Sequence, residues 1–257
     1  MKSKKFVLAG LVLLAAITMV LLPLSGCKTE VDTSAPQQEQ TGDSDSTCSH
    51  TAVIERGYCT ACNELLDSVD LGLDVKWATM NVGATKPEEY GDYFSWGETE
   101  PKEEYLWTLY KYYDDDGKLT KYCVPSRMYV TNYGKNDGKT VLEPIDDAAT
   151  ANWGEAWRMP TKEEMTKLIE VGDWTWTTLN GVFGYEVKGS NNNSIFLPAA
   201  GYYNGPSLSW KGSRAHYWTS SLNTEAPSAY SLMVSELIYE QSSQAREHGF
   251  SVRPVCE

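Results

Sequence analysis

The amphipathic aromatics are confined to one part of the chain. All nine tryptophans and fifteen of the sixteen tyrosines lie beyond Val69, and before it only Tyr58 occurs. Large aromatic side chains dominate the burial energy of a core, so the folding unit is expected over residues 69–257, a length that suits one domain. Only four of the chain's five phenylalanines accompany them there. The aromatic bulk therefore arrives with hydroxyls and indole N–H groups that need partners when buried.

The N-terminal residues read differently. Lys2, Lys4 and Lys5 precede an uncharged run from Phe6 to Leu22, the pattern of an export signal over residues 1–26. Leu24-Ser25-Gly26-Cys27 resembles the bacterial lipobox, which implies acylation of Cys27, a membrane tie through the N-terminal lipid and, with Lys28 next, an outer-membrane or cell-surface location. A membrane-spanning anchor is the alternative, but the run sits at the short end of the spanning range. Residues 27–47 lack aromatics and almost all apolar side chains, so they cannot offset the entropy of folding and are expected to be a disordered tether. Such a tether relaxes to roughly 25 Å and extends to about 65 Å.

Without the first 26 residues, 19 Lys plus Arg stand against 35 Asp plus Glu, a charge of −16. Nucleic acid is therefore excluded as a partner, because a phosphate backbone would be repelled. The 42 residues from Cys27 to Ser68 carry −6 of that charge. The remainder belongs to the aromatic-rich domain.

Four potential metal ligands cluster in residues 48–68, a small Cys/His segment. Cys48, His50, Cys59 and Cys62 form C-x-H-x8-C-x2-C, and the second pair has the spacing of a zinc knuckle. The first pair is closer than usual. A structural Zn ribbon is one expectation, in which the metal supplies the folding energy of a segment too short for a core. Disulfides or free thiols are the alternatives in an oxidising compartment. Cys123 and Cys256 could join the middle of the domain to its C-terminus as a disulfide, or stay as two buried thiols. Neither has the setting of a nucleophile.

Within the domain, Leu71, Leu73, Val75 and Trp77 alternate with polar residues and Gly72, the period of a half-buried strand. A short strand is expected at Tyr93–Trp96. Thr161 and Glu164 form a capping box ahead of Met165, Leu168 and Ile169, which predicts a helix ending at Gly172. A shorter helix is expected over Asp146–Asn152. Asn180-Gly181 between Trp174–Leu179 and Val182–Lys188 signals a hairpin. Further strands are expected at Ser194–Leu197, His216–Thr219, Ala229–Ser235 and Phe250–Val255. The fold class is α+β, with few helices, β-hairpins and long loops.

Several of these stretches carry a resemblance. Val69-Asp70-Leu71-Gly72-Leu73, Tyr90-Gly91-Asp92-Tyr93-Phe94-Ser95-Trp96-Gly97-Glu98, Trp157-Arg158-Met159-Pro160-Thr161, Leu197-Pro198-Ala199-Ala200-Gly201-Tyr202, Tyr217-Trp218-Thr219-Ser220-Ser221 and Ser251-Val252-Arg253-Pro254-Val255 resemble the Fibrobacter succinogenes major paralogous domain family. The resemblance implies a C-type-lectin-like fold whose terminal strands pair and whose long loops present a ligand surface, on secreted or lipid-anchored proteins with no established reaction. The ending from Leu197 to Val255 is also similar to lipoproteins diversified by retroelements, which implies variable outward positions between two fixed stretches.

In that stretch, Leu232 and Val234 facing inward would turn Ser231, Met233 and Ser235 outward. Met233, Leu237 and Tyr239, with Trp210, Arg214 and His216, are the expected ligand-binding patch, of residue types common at binding hot spots. The alternative is that several of them belong to the core. The acidic clusters Asp114-Asp115-Asp116 and Glu143 to Asp147 lack the calcium-loop pattern and are expected to be solvated. No nucleophile elbow supports a triad at His216 with Ser220 or Ser221, and phosphate-binding loops are missing. The expected function is non-catalytic binding of an external protein or glycan. A polysaccharide-degrading accessory enzyme, whose carboxylate pair sequence does not reveal, and a structural component of a surface assembly are the alternatives.

Overall fold

The computed structural model of the protein describes residues 48–50, 52–124, 134–224 and 227–257. The expected signal peptide, the lipidation site Cys27 and the tether lie outside the described residues.

The chain first forms a hairpin of β1 (Ile54–Glu55) and β2 (Tyr58–Cys59). β3 (Ser68–Asp70) then pairs with β4 (Lys76–Ala78). The continuous strand expected over Leu71–Trp77 does not form. Asp70 Oδ1 accepts the Gly72 N–H at 2.6 Å, a local side-chain bond that competes with a ladder and turns the chain. The alternation survives as burial alone, with Leu71, Val75 and Trp77 all in the core.

The Tyr93–Trp96 strand is also absent, reduced to one bridge between Phe94 and Phe250. What holds the irregular backbone here is the polar end of the aromatics. Tyr105 OH donates to Tyr93 O, Tyr110 OH to Trp96 O, Trp96 Nε1 to Thr219 O and Trp218 Nε1 to Phe94 O, all between 2.6 and 2.8 Å. Buried loop carbonyls need donors that no ladder supplies. Phenylalanine could not provide them, which accounts for the excess of Tyr and Trp.

Asp147 caps α1 (Ala148–Trp153), accepting from Ala149 N and Thr150 N. The capping box forms as expected at α2 (Lys162–Val171): Glu164 Oε2 accepts Thr161 N at 2.7 Å, and Thr161 Oγ1 accepts Glu164 N at 3.2 Å. β5 (Asp173–Leu179) and β6 (Val182–Lys188) join at Asn180-Gly181, whose φ angles of 49° and 82° meet the left-handed requirement of the tight hairpin turn. β7 (Ser194–Pro198) extends this sheet beside β6.

A small hairpin of β8 (Tyr202–Asn204) and β9 (Ser207–Ser209) leads into a second antiparallel sheet, β10 (Arg214–Asn223), β11 (Ser228–Ser235) and β12 (Ile238–Ala245). The end of the chain differs from expectation, since only Val255–Cys256 forms a strand, β13. It pairs with β4, Val255 opposite Trp77, so the first and last parts of the domain meet. The architecture is rich in strands with two short helices among the described residues, within the expected α+β class.

β10 and β11 separate two apolar cores. Ala215, Tyr217, Leu232 and Val234 face one, with Trp77, Met165 and Val187. Trp218, Leu222 and Ala229 face the other, with Trp96, Tyr122 and Phe250. Arg253 is fully buried between elements and donates to Asn81 Oδ1, Ala78 O and Phe196 O at 2.9 to 3.0 Å. No helix among the described residues is long and apolar enough to cross a membrane.

Candidate metal centre and recognition surface

The β1–β2 hairpin brings its flanks together. Cys48 and His50 precede it, Cys59 ends it and Cys62 follows, and one ligand atom from each lies within 4.8 Å of the others. Cys48 Sγ and Cys59 Sγ are 3.6 Å apart, and Cys62 Sγ is 3.7 Å from His50 Nδ1. Tetrahedral bonds of about 2.3 Å from Zn to sulfur would place neighbouring thiolates about 3.8 Å apart. The donors therefore fit a thiophilic ion, and this Cys/His cluster could hold a metal.

The surroundings fit a ligand role. The backbone N–H groups of Ala61 and Cys62 aim at Cys59 Sγ; together with the His50 imidazole, which contributes most, they lower its thiol to about 6. Cys62 is exposed; the Glu64 N–H favours its thiolate, but partial desolvation within the cluster and the neighbouring Cys48 and Cys59 thiols outweigh that and push it up to about 11. Stacked thiolates repel until a cation neutralises them. His50 Nε2 faces Glu64 Oε2 at 3.4 Å, the outer carboxylate that commonly orients a ligating imidazole.

The expected disulfide between Cys123 and Cys256 does not form. Cys123 is a free, buried thiol whose Sγ lies 3.1 Å from Leu119 O. Pairing demands that the two Cβ atoms approach within a few ångströms, a condition invisible in sequence spacing.

The six residues of the expected binding patch divide. Arg214 and His216 lie opposite Ser235 and Met233 in the β10–β11 register, so Arg214, His216 and Met233 share a face. His216 is only 4% exposed, stacked on Phe250 at 4.5 Å with Tyr202 edge-on at 4.9 Å. Burial, with Arg214 and His248 nearby, lowers its imidazole to about 3. It is a neutral core residue and not an open binding group. Tyr239 lies opposite Val234 and therefore points to the other face, where it stacks on Trp174 at 4.8 Å. One flat patch does not exist.

The exposed members instead wrap the end of the second sheet. Leu237, 89% exposed, sits in the turn between β11 and β12. On one side Trp210, 55% exposed, lies under the Arg214 guanidinium at 4.7 Å, with Ile238 across Ser235 from Arg214. On the other side Tyr239 and Trp174 continue to Tyr185, Trp176 and the exposed Phe183 through successive ring contacts. Trp174, Trp176 and Phe183 were absent from the expected patch. Their signal was present: Trp174 and Trp176 are two apart on β5, and the Asn180-Gly181 turn sets Phe183 and Tyr185 beside them.

The second acidic cluster is solvated only at Glu143, which is partly exposed. Asp146 and Asp147 are buried, while Asp114 to Asp116 remain exposed as expected. Asp146 accepts from Tyr112 OH, Tyr122 OH, Lys111 Nζ and Lys121 Nζ. Burial opposes its charge, but these donors, led by Lys121 and Tyr112, outweigh it and hold the carboxyl far below the ordinary range. Asp147 is used up by three backbone N–H groups, those of Ala149, Thr150 and Met159. Both acids are structural hubs. Comparison with protein-family models, curated proteins and solved structures finds no match.

Proposed function

We propose that the protein is a lipid-anchored protein of the outer membrane or cell surface, acylated at Cys27, whose domain over 69–257 binds an external protein or glycan without catalysis. The fold of that domain is, in this proposal, C-type-lectin-like, which the pairing of β13 with β4 and the long irregular stretch after β4 support. The Cys48, His50, Cys59 and Cys62 centre holds a structural Zn²⁺; four protein ligands leave no open position for chemistry.

The exposed apolar crest carries the binding proposal. Trp210, Leu237, Ile238 and Tyr239 are all open to solvent at one end of a rigid sheet. Apolar groups concentrated in this way mark interaction sites more often than single exposed residues do, and aromatic and Arg side chains are the usual anchors. The crest also lies wholly between Leu197 and Val255, the stretch in which the resemblance places diversified positions.

Arrays of host and plant glycans and of surface proteins, probed with the full-length protein, test this. Trp210→Ala and Leu237→Asp are each expected to weaken binding at least tenfold without changing the melting temperature. Full affinity in the double variant would remove the crest from recognition. Hydrolysis of a bound glycan, abolished by one carboxylate substitution, would replace the binder with an enzyme.

A further inference from the structure

The hairpin that joins the four metal ligands is itself docked on the domain. β7 is the outer strand of its sheet, and Ser194 at its start is met by the hairpin turn: Arg56 N donates to Ser194 Oγ at 2.8 Å and Gly57 N to Ser194 O at 3.0 Å. The Arg56 guanidinium donates to Glu186 Oε2 through Nε and Nη2, at 3.0 and 2.9 Å. Gly57, at φ +93°, sits so close to Thr79 that a Cβ would lie 2.9 Å from it. Ile54 N donates to Asn193 Oδ1, and the Ile54 side chain enters the first core.

Cys59 connects the two systems. It is a member of the ligand set and, fully buried, also of the first core with Val69, Leu71 and Trp77. The hairpin strands have two residues each, far too few to persist alone. Around the four ligand atoms, which approach at 3.6 to 3.7 Å, the flanks before and after the hairpin also meet where Thr60 N donates to Val53 O at 3.0 Å and His50 Nε2 faces Glu64 Oε2 at 3.4 Å, and an ion would tie all of these together.

We propose that metal occupancy at Cys48, His50, Cys59 and Cys62 governs the docking of residues 52–66 on the edge of β7, so that the ion serves as a clasp for the whole domain and not as the heart of an independent ribbon. The proposal rests on the zinc assignment. Because binding and docking are linked, each strengthens the other by the same factor. A contact far from the ligands must then change metal affinity.

Full-length reduced protein, loaded with Zn²⁺ and then stripped by a chelator, provides the test. One zinc per chain is expected, with amide exchange of residues 52–66 at least about a hundredfold slower in the loaded form. The melting temperature reported by tryptophan fluorescence should also be higher, and every tryptophan lies outside the clasp. Cys59→Ser removes a core residue as well as a ligand, so the discriminating variant is Arg56→Ala, which leaves all four ligands in place and is expected to weaken zinc binding about tenfold. Stoichiometric zinc with unchanged exchange on stripping, or with unchanged affinity in R56A, would overturn the clasp and leave the zinc site standing. Absence of stoichiometric zinc would overturn both.

Discussion

Single polar atoms decide much of the interior. The Tyr110 hydroxyl is buried and donates to Trp96 O at 2.7 Å, and removal of such a donor leaves a carbonyl without a partner. Tyr110→Phe is expected to cost about 1–2 kcal/mol, measured by urea unfolding at neutral pH. Glu247 illustrates the opposite case, since its Oε2 is buried without a partner and burial raises its carboxyl from 4.5 to about 7. A folded value above the unfolded one means that the retained proton stabilises the fold below about pH 4.5, and that this contribution is lost as pH rises through 7. Glu247→Gln is therefore expected to match the wild type near pH 4 and to exceed it by about 1–3 kcal/mol near pH 8, read by denaturation at both values. Neither role was legible in the sequence. An isolated Asp or Glu carries no mark of burial, and Asp146 and Asp147 were expected in solvent as part of an acidic cluster without the calcium-loop pattern.

Elements with purely local determinants were legible. The capping box of α2 and the Asn180-Gly181 hairpin depend on residues within four positions, and both form where expected. Thr161→Ala removes the acceptor of the Glu164 N–H and is expected to destabilise the protein by about 1 kcal/mol, visible as a lower melting temperature. The bidentate pair from Arg158 to Glu164, at 2.8 and 2.7 Å, supports the same helix start. Elements that need a distant partner divide: the strands expected at Ser194–Leu197, His216–Thr219 and Ala229–Ser235 form within β7, β10 and β11, and two others do not. Tyr93–Trp96 has strand composition, but only Phe94 finds a bridging partner, Phe250. Leu71 to Trp77 has strand alternation, but its period records which side faces the core and not whether a ladder exists. In the binding patch, the inward facing of Leu232 and Val234 was read correctly. The place of Tyr239 was not, because a residue beyond a turn changes face according to the register of the hairpin.

At the scale of the molecule, the chain closes on itself. β13 returns to β4, Arg253 ties Asn81 and Ala78 to Phe196, and the clasp reaches β7 from the N-terminal side. The Cys/His segment, set apart by composition, is thus joined to the domain by Ile54, Arg56 and Cys59. By itself the sequence determined a strand-rich fold with few helices, its capped helix and tight hairpin, and the four residues of the Cys/His cluster, because each depends on composition or on neighbours a few positions away. Only the tertiary structure decided that His216 is core, that Cys123 does not meet Cys256, that Asp146 is a buried hub and that the exposed aromatics form a crest. Each of those outcomes is set by which side chains from distant segments come within a few ångströms, and that distance is fixed by packing, not by spacing along the chain.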